Sequence, residues 1–189
     1  SAQDKGGTRS HLFIDTLVDL SLDNFKKSML QINYQKTSND NYLKLFELQS
    51  PLLLGDNSVL ESKIEFDLEH ENYDLTTSFE MYETLDGANS DRYQYVLPSY
   101  NFSKNFNLEA VSGSLNFNSS GNNTLQDTNI TTSSVSNNLK YSTIEKFFNN
   151  GIKTNFNIFL KNINSIGKNN PTYKNSLQSE LMSAYSYDT

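Results

Sequence analysis

The sequence predicts an all-β fold: an antiparallel up-and-down meander that forms part of a large transmembrane β-barrel. Three observations predict it. Apolar and polar residues alternate with a period of two, the signature of a strand with two chemically different faces. Most of the alternating segments have the roughly 9–11 residues that a tilted strand needs to cross a bilayer, whereas globular strands cluster near about 5–6. The connections between them alternate between short and long, as in outer-membrane barrels with tight periplasmic turns and longer extracellular loops.

The first segment, Leu12–Leu22, places Leu12, Ile14, Thr16, Val18, Leu20 and Leu22 on one face and Phe13, Asp15, Leu17, Asp19 and Ser21 on the other. The second sets Leu30, Ile32 and Tyr34 against Gln31, Asn33 and Gln35. The third has the strongest contrast: Leu60, Ile64, Phe66 and Leu68 oppose Glu61, Lys63, Glu65, Asp67 and Glu69. Acids facing acids across a sheet repel, so this row belongs against water: a filled lumen or a solvated outer face. The fourth opposes Tyr73, Leu75, Phe79 and Met81 to Asp74, Thr76, Ser78 and Glu80. Five further strands are expected at Tyr93–Phe102, Phe106–Phe117, Thr128–Tyr141, Ile152–Ile163 and Leu177–Tyr187, giving eight or nine in all. Pro98 removes a ladder donor from the fifth, which predicts a break or bulge there. The expected short connections are Asp23–Lys27, His70–Asn72, Ser103–Asn105 and Phe147–Gly151. The expected long ones are Thr37–Ser58, Thr84–Arg92, Ser119–Asp127 and Asn164–Ser176. One helical turn is expected within Asn41–Leu48, through Leu45 and Leu48.

Composition limits the function. A net charge of −7 argues against duplex nucleic-acid binding, which needs a basic surface. The absence of cysteine removes disulfides and thiol chemistry, and His11 and His70 lie in unrelated segments. Hydrophobic content is only 35%, yet 12% of residues are aromatic, which is unlike a disordered chain. No run of 18 apolar residues forms a transmembrane helix. There is no initiator Met or signal peptide, and the last segment is still alternating at Tyr187, so residues 1–189 are expected to be an internal fragment.

No catalytic, cofactor-binding or metal-binding residue is assigned, and the chain is not expected to be an enzyme. Gly113-Ser114 and Gly121-Asn122 lack phosphate-loop spacing. The alternating acids Glu61, Glu65, Asp67 and Glu69 read as a hydrated strand face rather than a cation site. The acceptor-like triplets starting at Asn101, Asn118, Asn122 and Asn129 are chance matches in a chain rich in Asn, Ser and Thr.

Three stretches carry a family resemblance: Arg9-Ser10-His11-Leu12-Phe13; Asn33-Tyr34-Gln35-Lys36-Thr37-Ser38-Asn39-Asp40-Asn41-Tyr42-Leu43; and Asp91-Arg92-Tyr93-Gln94-Tyr95-Val96-Leu97-Pro98-Ser99-Tyr100. In order and spacing they resemble the LptD family of lipopolysaccharide-assembly barrels, in particular its AT-rich marine alphaproteobacterial members. The resemblance covers most of the chain up to about Tyr100 and fades through the Ser/Thr/Asn-rich middle. It implies a periplasmic jelly roll followed by a barrel of about 26 strands, of which this chain would be roughly a third. The jelly roll and the remaining strands would lie outside it. It also implies an outer-membrane location and, as partners, lipopolysaccharide, an LptE lipoprotein plug, the periplasmic transport bridge and outer-membrane lipid, with no nucleic acid. No family binding residue maps onto a position here. The alternatives are a general outer-membrane porin or structural barrel, and a soluble β-sheet module that binds carbohydrate or acts as an adhesin.

Overall fold

The computed structural model describes residues 10–46, 50–53, 58–86, 91–108, 113–149 and 151–188. The strands are β1 (His11–Asp19), β2 (Phe25–Thr37), β3 (Val59–His70), β4 (Tyr73–Thr84), β5 (Tyr93–Leu108), β6 (Gly113–Gln126), β7 (Ile130–Thr143), β8 (Lys146–Phe147), β9 (Lys153–Lys168) and β10 (Gln178–Asp188). They form one open antiparallel sheet in the order β1-β2-β3-β4-β5-β6-β7-β9-β10, with β8 on β9 beside the end of β7. The all-β meander expected from the alternation is therefore present, with nine long strands and a two-residue tenth. Because antiparallel partners share a face, one alternation fixes which side of the sheet every residue occupies.

The expected break at Pro98 is a bulge: the β4–β5 register shifts between Ser78 and Glu80, and the β5–β6 register between Val96 and Ser99. Leu97 and Pro98 together oppose one residue of β4, so the inside-outside parity of β5 reverses there. Tyr93 and Tyr95 thus share a face with Tyr100, Phe102 and Lys104, although their spacing is odd.

Several expected boundaries are corrected. Ser103–Asn105 is not a turn; Ser103 and Lys104 pair with both β4 and β6, and Asn105 with β6, as β5 runs on to Leu108. The connection that follows, 109–112, lies outside the described residues. Ser119–Asp127 is not a long loop either. β6 continues to Gln126 because its Ser and Asn side chains bond across to β7: Ser119 to Asn137 and Ser134 to Asn122. The β6–β7 turn is instead tight. Only three residues separate the paired Gln126 and Ile130; Asp127 (φ 45°) and Thr128 (φ 60°) take the left-handed conformation and Asn129 N–H donates to Gln126 O at 3.2 Å. Strict alternation of short and long connections is consequently broken. β9 extends past Asn164 to Lys168, which shortens the last loop. β1 ends at Asp19, and Ser21 (φ 48°) and Asn24 (φ 70°) form the turn into β2. The Phe147–Gly151 turn is found: Gly151 N–H donates to Phe148 O at 2.9 Å, and Gly151 takes φ 81°.

Both faces of the sheet are open: Ile64 and Phe79 on one face are each 43% exposed, and Leu17 on the other is 64% exposed. The one buried apolar cluster among the described residues is Leu43, Leu60 and Leu85, where the β2–β3 connection folds over the strand ends. That connection carries α1 (Tyr42–Leu45), the expected helical turn, but it buries Leu43; Leu45 is exposed and Leu48 lies outside the described residues. Leu43→Ala is expected to cost about 2 kcal/mol, the low end for a buried Leu because the cluster is small. The readout is faster proteolysis in the β2–β3 connection with the strand amides still protected.

Glycines lie where rings cross the sheet. A Cβ on Gly121 would stand 2.7 Å from the Tyr100 ring and 3.0 Å from Ser134 O, so Tyr100 covers a position that tolerates no side chain.

Candidate functional site

The feature that calls for a function is the contrast between the two faces. On the first face, following the register from β1 to β5, lie Ile14 and Val18; Leu30 and Ile32; Ile64, Phe66 and Leu68; Leu75, Phe79 and Met81; and Leu97 and Phe102. On the second lie Asp15, Asp19, Glu61, Lys63, Glu65, Asp67, Glu69, Asp74 and Glu80. The acids of β3 are partly neutralised where they stand: Lys27 bonds Asp67, and Lys63 lies 2.6 Å from Glu65. The expected opposition on the third and fourth strands is therefore the organising feature of the sheet.

The apolar face is bounded at each end by aromatic residues. At the turn end Phe25, His70, Tyr73, Phe102 and Phe117 form a continuous chain of ring contacts across β2–β6, with centroid distances of 5.5, 4.7, 6.0 and 6.2 Å. At the loop end Tyr93 and Tyr95 stack at 6.1 Å, near Tyr34. Tyr73 and Glu83 lie ten residues apart on β4, with only Leu75, Thr77, Phe79 and Met81 between them on that face. Ten residues span about 33 Å along a strand. Tilted by roughly 40°, that becomes about 25 Å, the height of the apolar band of an outer-membrane barrel.

Charge begins where the band ends. Glu83 is 3% exposed. It accepts from Lys36 Nζ (2.8 and 3.1 Å) and the Tyr93 hydroxyl (3.0 Å), and lies 2.8 Å from Arg92. Arg92 also donates to Asp40 at 2.7 Å, and that bond raises its pKa further above the usual value. This network ties the β2–β3 connection to the end of β4 and β5, together with Lys44–Asp86 and the bond from Gln35 Nε2 to Leu52 O. No residue here is marked by a motif, although two of the resemblance stretches contribute Lys36 with Asp40 and Arg92 with Tyr93. What brings them together is the pairing of β2, β3, β4 and β5, which no local spacing reveals.

The apolar face changes beyond β5. Ser119, Asn137, Asn162 and Ser179 occupy it, with the Tyr100 hydroxyl 3.1 Å from Ser119 Oγ, Ser119 donating to Asn137 at 2.8 Å and Asn162 donating to Ser179 at 3.3 Å. Leu139, Leu160, Leu181 and Tyr185 continue the apolar character around this seam; Lys104 and Lys168 stand on this face in its turn-end and loop-end rows, paired with Phe117 and Thr131. Among those residues no group of three His, Cys, Asp or Glu is placed to hold a metal ion, and no helix is long and apolar enough to cross a membrane. No protein-family model matches the chain, and no curated protein matches it.

Proposed function

We propose that the sheet is a segment of an outer-membrane β-barrel whose whole protein delivers lipopolysaccharide to the outer leaflet, as in the LptD family. The carrying observation is the charge-free apolar band, about 25 Å high when tilted, bounded by aromatic rows and backed by an acidic face. The first face meets lipid and the second lines an aqueous lumen. The resemblance of the three stretches supplies the lipopolysaccharide assignment, and two of them meet at the Glu83 network. The longest connection, between β2 and β3, lies outside the cell.

Depletion of the full-length protein tests this. Newly made lipopolysaccharide should stop reaching the cell surface while small-solute uptake is unchanged. Loss of solute uptake with normal surface lipopolysaccharide would identify a porin instead. A second reading, a water-exposed sheet that binds carbohydrate, is favoured by the Asn137–Asn162–Ser179 seam on the otherwise apolar face. The two readings differ in the behaviour of the isolated chain. Open strand edges do not persist in lipid, since unpaired backbone groups cost several kcal/mol each, and in water they invite edge-to-edge association. Expressed alone, the 189-residue chain is expected to aggregate or to need detergent. A monodisperse, water-soluble monomer on sedimentation would favour the carbohydrate-binding sheet.

A further inference from the structure

Charge on the polar face is divided between its two halves. The acids described above stand on β1, β3 and β4, whereas β5, β6, β7 and β9 contain no acid at all. Following the register from Asp67 through Thr76, Asn101, Ser120 and Ser136 to Ile163 shows which residues of β7 and β9 share that face, and Lys140 and Lys161 are among them. Lys140 registers with Phe159 and Lys161 with Asn138, so the two lysines are diagonal neighbours, about 7–8 Å apart. Other strand lysines of this face are bonded to acids: Lys27 to Asp67, Lys63 to Glu65 and Lys153 to Glu145. Among the described residues neither Lys140 nor Lys161 is held in that way. The acids facing them from β10 are Glu180, diagonal to Lys161, and Asp188, opposite Asn155 near the end of the strand.

Beside Lys140 the face opens into a groove of about 430 Å³, lined by Lys140, Asn157, Phe159, Ala184, Tyr185 and Ser186. That size lies within the roughly 300–1,000 Å³ of small-molecule sites. Its floor is apolar on an otherwise polar face: Phe159 is 37% exposed, and Met182, registered with Lys161, is 48% exposed. At the wall, Asn157 Nδ2 donates to Ser186 Oγ at 3.1 Å, which fixes both polar groups beside the ring. We propose that this groove binds a phosphorylated sugar. Lys140 and Lys161 hold the phosphate through charge-assisted hydrogen bonds. The Phe159 ring carries the apolar side of the sugar, and Asn157 and Ser186 meet its hydroxyls. The phosphate supplies the countercharge that this half of the face lacks, and the acids of β1, β3 and β4 repel the same ligand from the other half. A hydrocarbon chain or an uncharged sugar would leave both lysines as they are. On the barrel reading the groove opens into the aqueous lumen, but the proposal does not rest on that reading, because the polar face is hydrated whether the apolar face meets lipid or water.

The test is a titration of the isotope-labelled chain, folded in micelles of a sugar-free polyoxyethylene detergent, followed by its amide resonances. Glucose 6-phosphate is the probe, with glucose and inorganic phosphate beside it. Glucose 6-phosphate should shift amides around Lys140, Phe159 and Ala184 saturably and leave β2–β4 unmoved. Glucose and inorganic phosphate, each lacking half of the recognised chemistry, should bind more weakly than the sugar phosphate. Lys140→Gln/Lys161→Gln should weaken binding about tenfold through loss of the charge-assisted bonds. Lys27→Gln/Lys63→Gln removes the same charge from the acidic half and should bind like the parent chain. Ala184→Leu keeps both lysines but fills the groove, and should abolish the shifts. No saturable shift, equal binding of glucose or of inorganic phosphate, shifts spread over β2–β4, or binding undiminished in Lys140→Gln/Lys161→Gln or Ala184→Leu would overturn the proposal. Failure of the membrane reading is seen separately, as absence of lipid contact at residue 66.

Discussion

Phe66→Arg in the full-length protein is expected to block barrel assembly, whereas Glu65→Lys, one residue away, is expected to leave it intact. Phe66 sits mid-strand on the apolar face, paired with Leu30 on one side and Thr77 on the other, between Ile64 and Leu68. In lipid, Arg or Lys at that depth costs about 2–4 kcal/mol, falling toward zero near the interfaces. Glu65 points to the opposite face, between Gln31 and Ser78 and beside Lys63. Reversing it changes one charge in a hydrated acidic row. A sheet with its apolar face packed against protein would also suffer from Phe66→Arg, so the mutation pair establishes the sidedness and a second probe identifies the medium. The chain has no cysteine, so single cysteines at 66 and 65 are unambiguous. Cysteine 66, labelled with a dye, should be quenched by lipid-borne nitroxides and react slowly with aqueous thiol reagents; cysteine 65 should do the reverse. If residue 66 shows no lipid contact, the membrane assignment of β3 fails while the two-faced sheet stands.

What was legible in the sequence follows from how far each signal reaches along the chain. Period-two alternation is local, and Leu60–Glu69 and Tyr73–Met81 announce their strands and faces directly. The turn at Phe147–Gly151 was equally legible, because Gly151 supplies a left-handed backbone. Polarity, in contrast, was a poor guide to loops. Ser119–Asp127 looked like a connection because its residues are turn formers, but their hydroxyls and amides find partners on β7, so the segment is a strand that is hydrogen-bonded on both faces. The bulge at Pro98 was foreseeable, but its consequence was not. Reversal of parity brings Tyr95 and Tyr100 onto one face, and reading β5 at constant period assigns half of it to the wrong side. The Glu83 network was hidden for a different reason: residues 36, 40, 83, 92 and 93 are contributed by three strands and two connections.

That network should be the most sensitive polar point of the sheet, and Glu83→Gln is expected to release the β2–β3 connection. Glu83 holds two cations and a phenol while almost fully buried, so its loss leaves their charges facing one another without an anion between them. Breaking a buried pair by removing one partner costs about 3–5 kcal/mol. Here the cost should fall near 2–3 kcal/mol, because Lys36 is 42% exposed and can turn to water, and Arg92 keeps Asp40. Removing one of the two cations, Lys36, together with the anion distinguishes charge imbalance from simple loss of contacts, since Arg92 keeps Asp40. Glu83→Leu combined with Lys36→Met replaces both charges by apolar groups of similar length and should recover most of the stability. The readouts are the denaturation midpoint and protease cleavage within residues 38–58. In Glu83→Gln that connection should be cut faster and the midpoint should fall, with amide protection in β6–β10 unchanged. The double variant should restore resistance to cleavage. If Glu83→Gln is cut no faster than the parent chain, Leu43 with Leu60 and Leu85 holds the connection without help from the ion pairs. Leu43→Ala, measured by the same cleavage, would then show the larger effect.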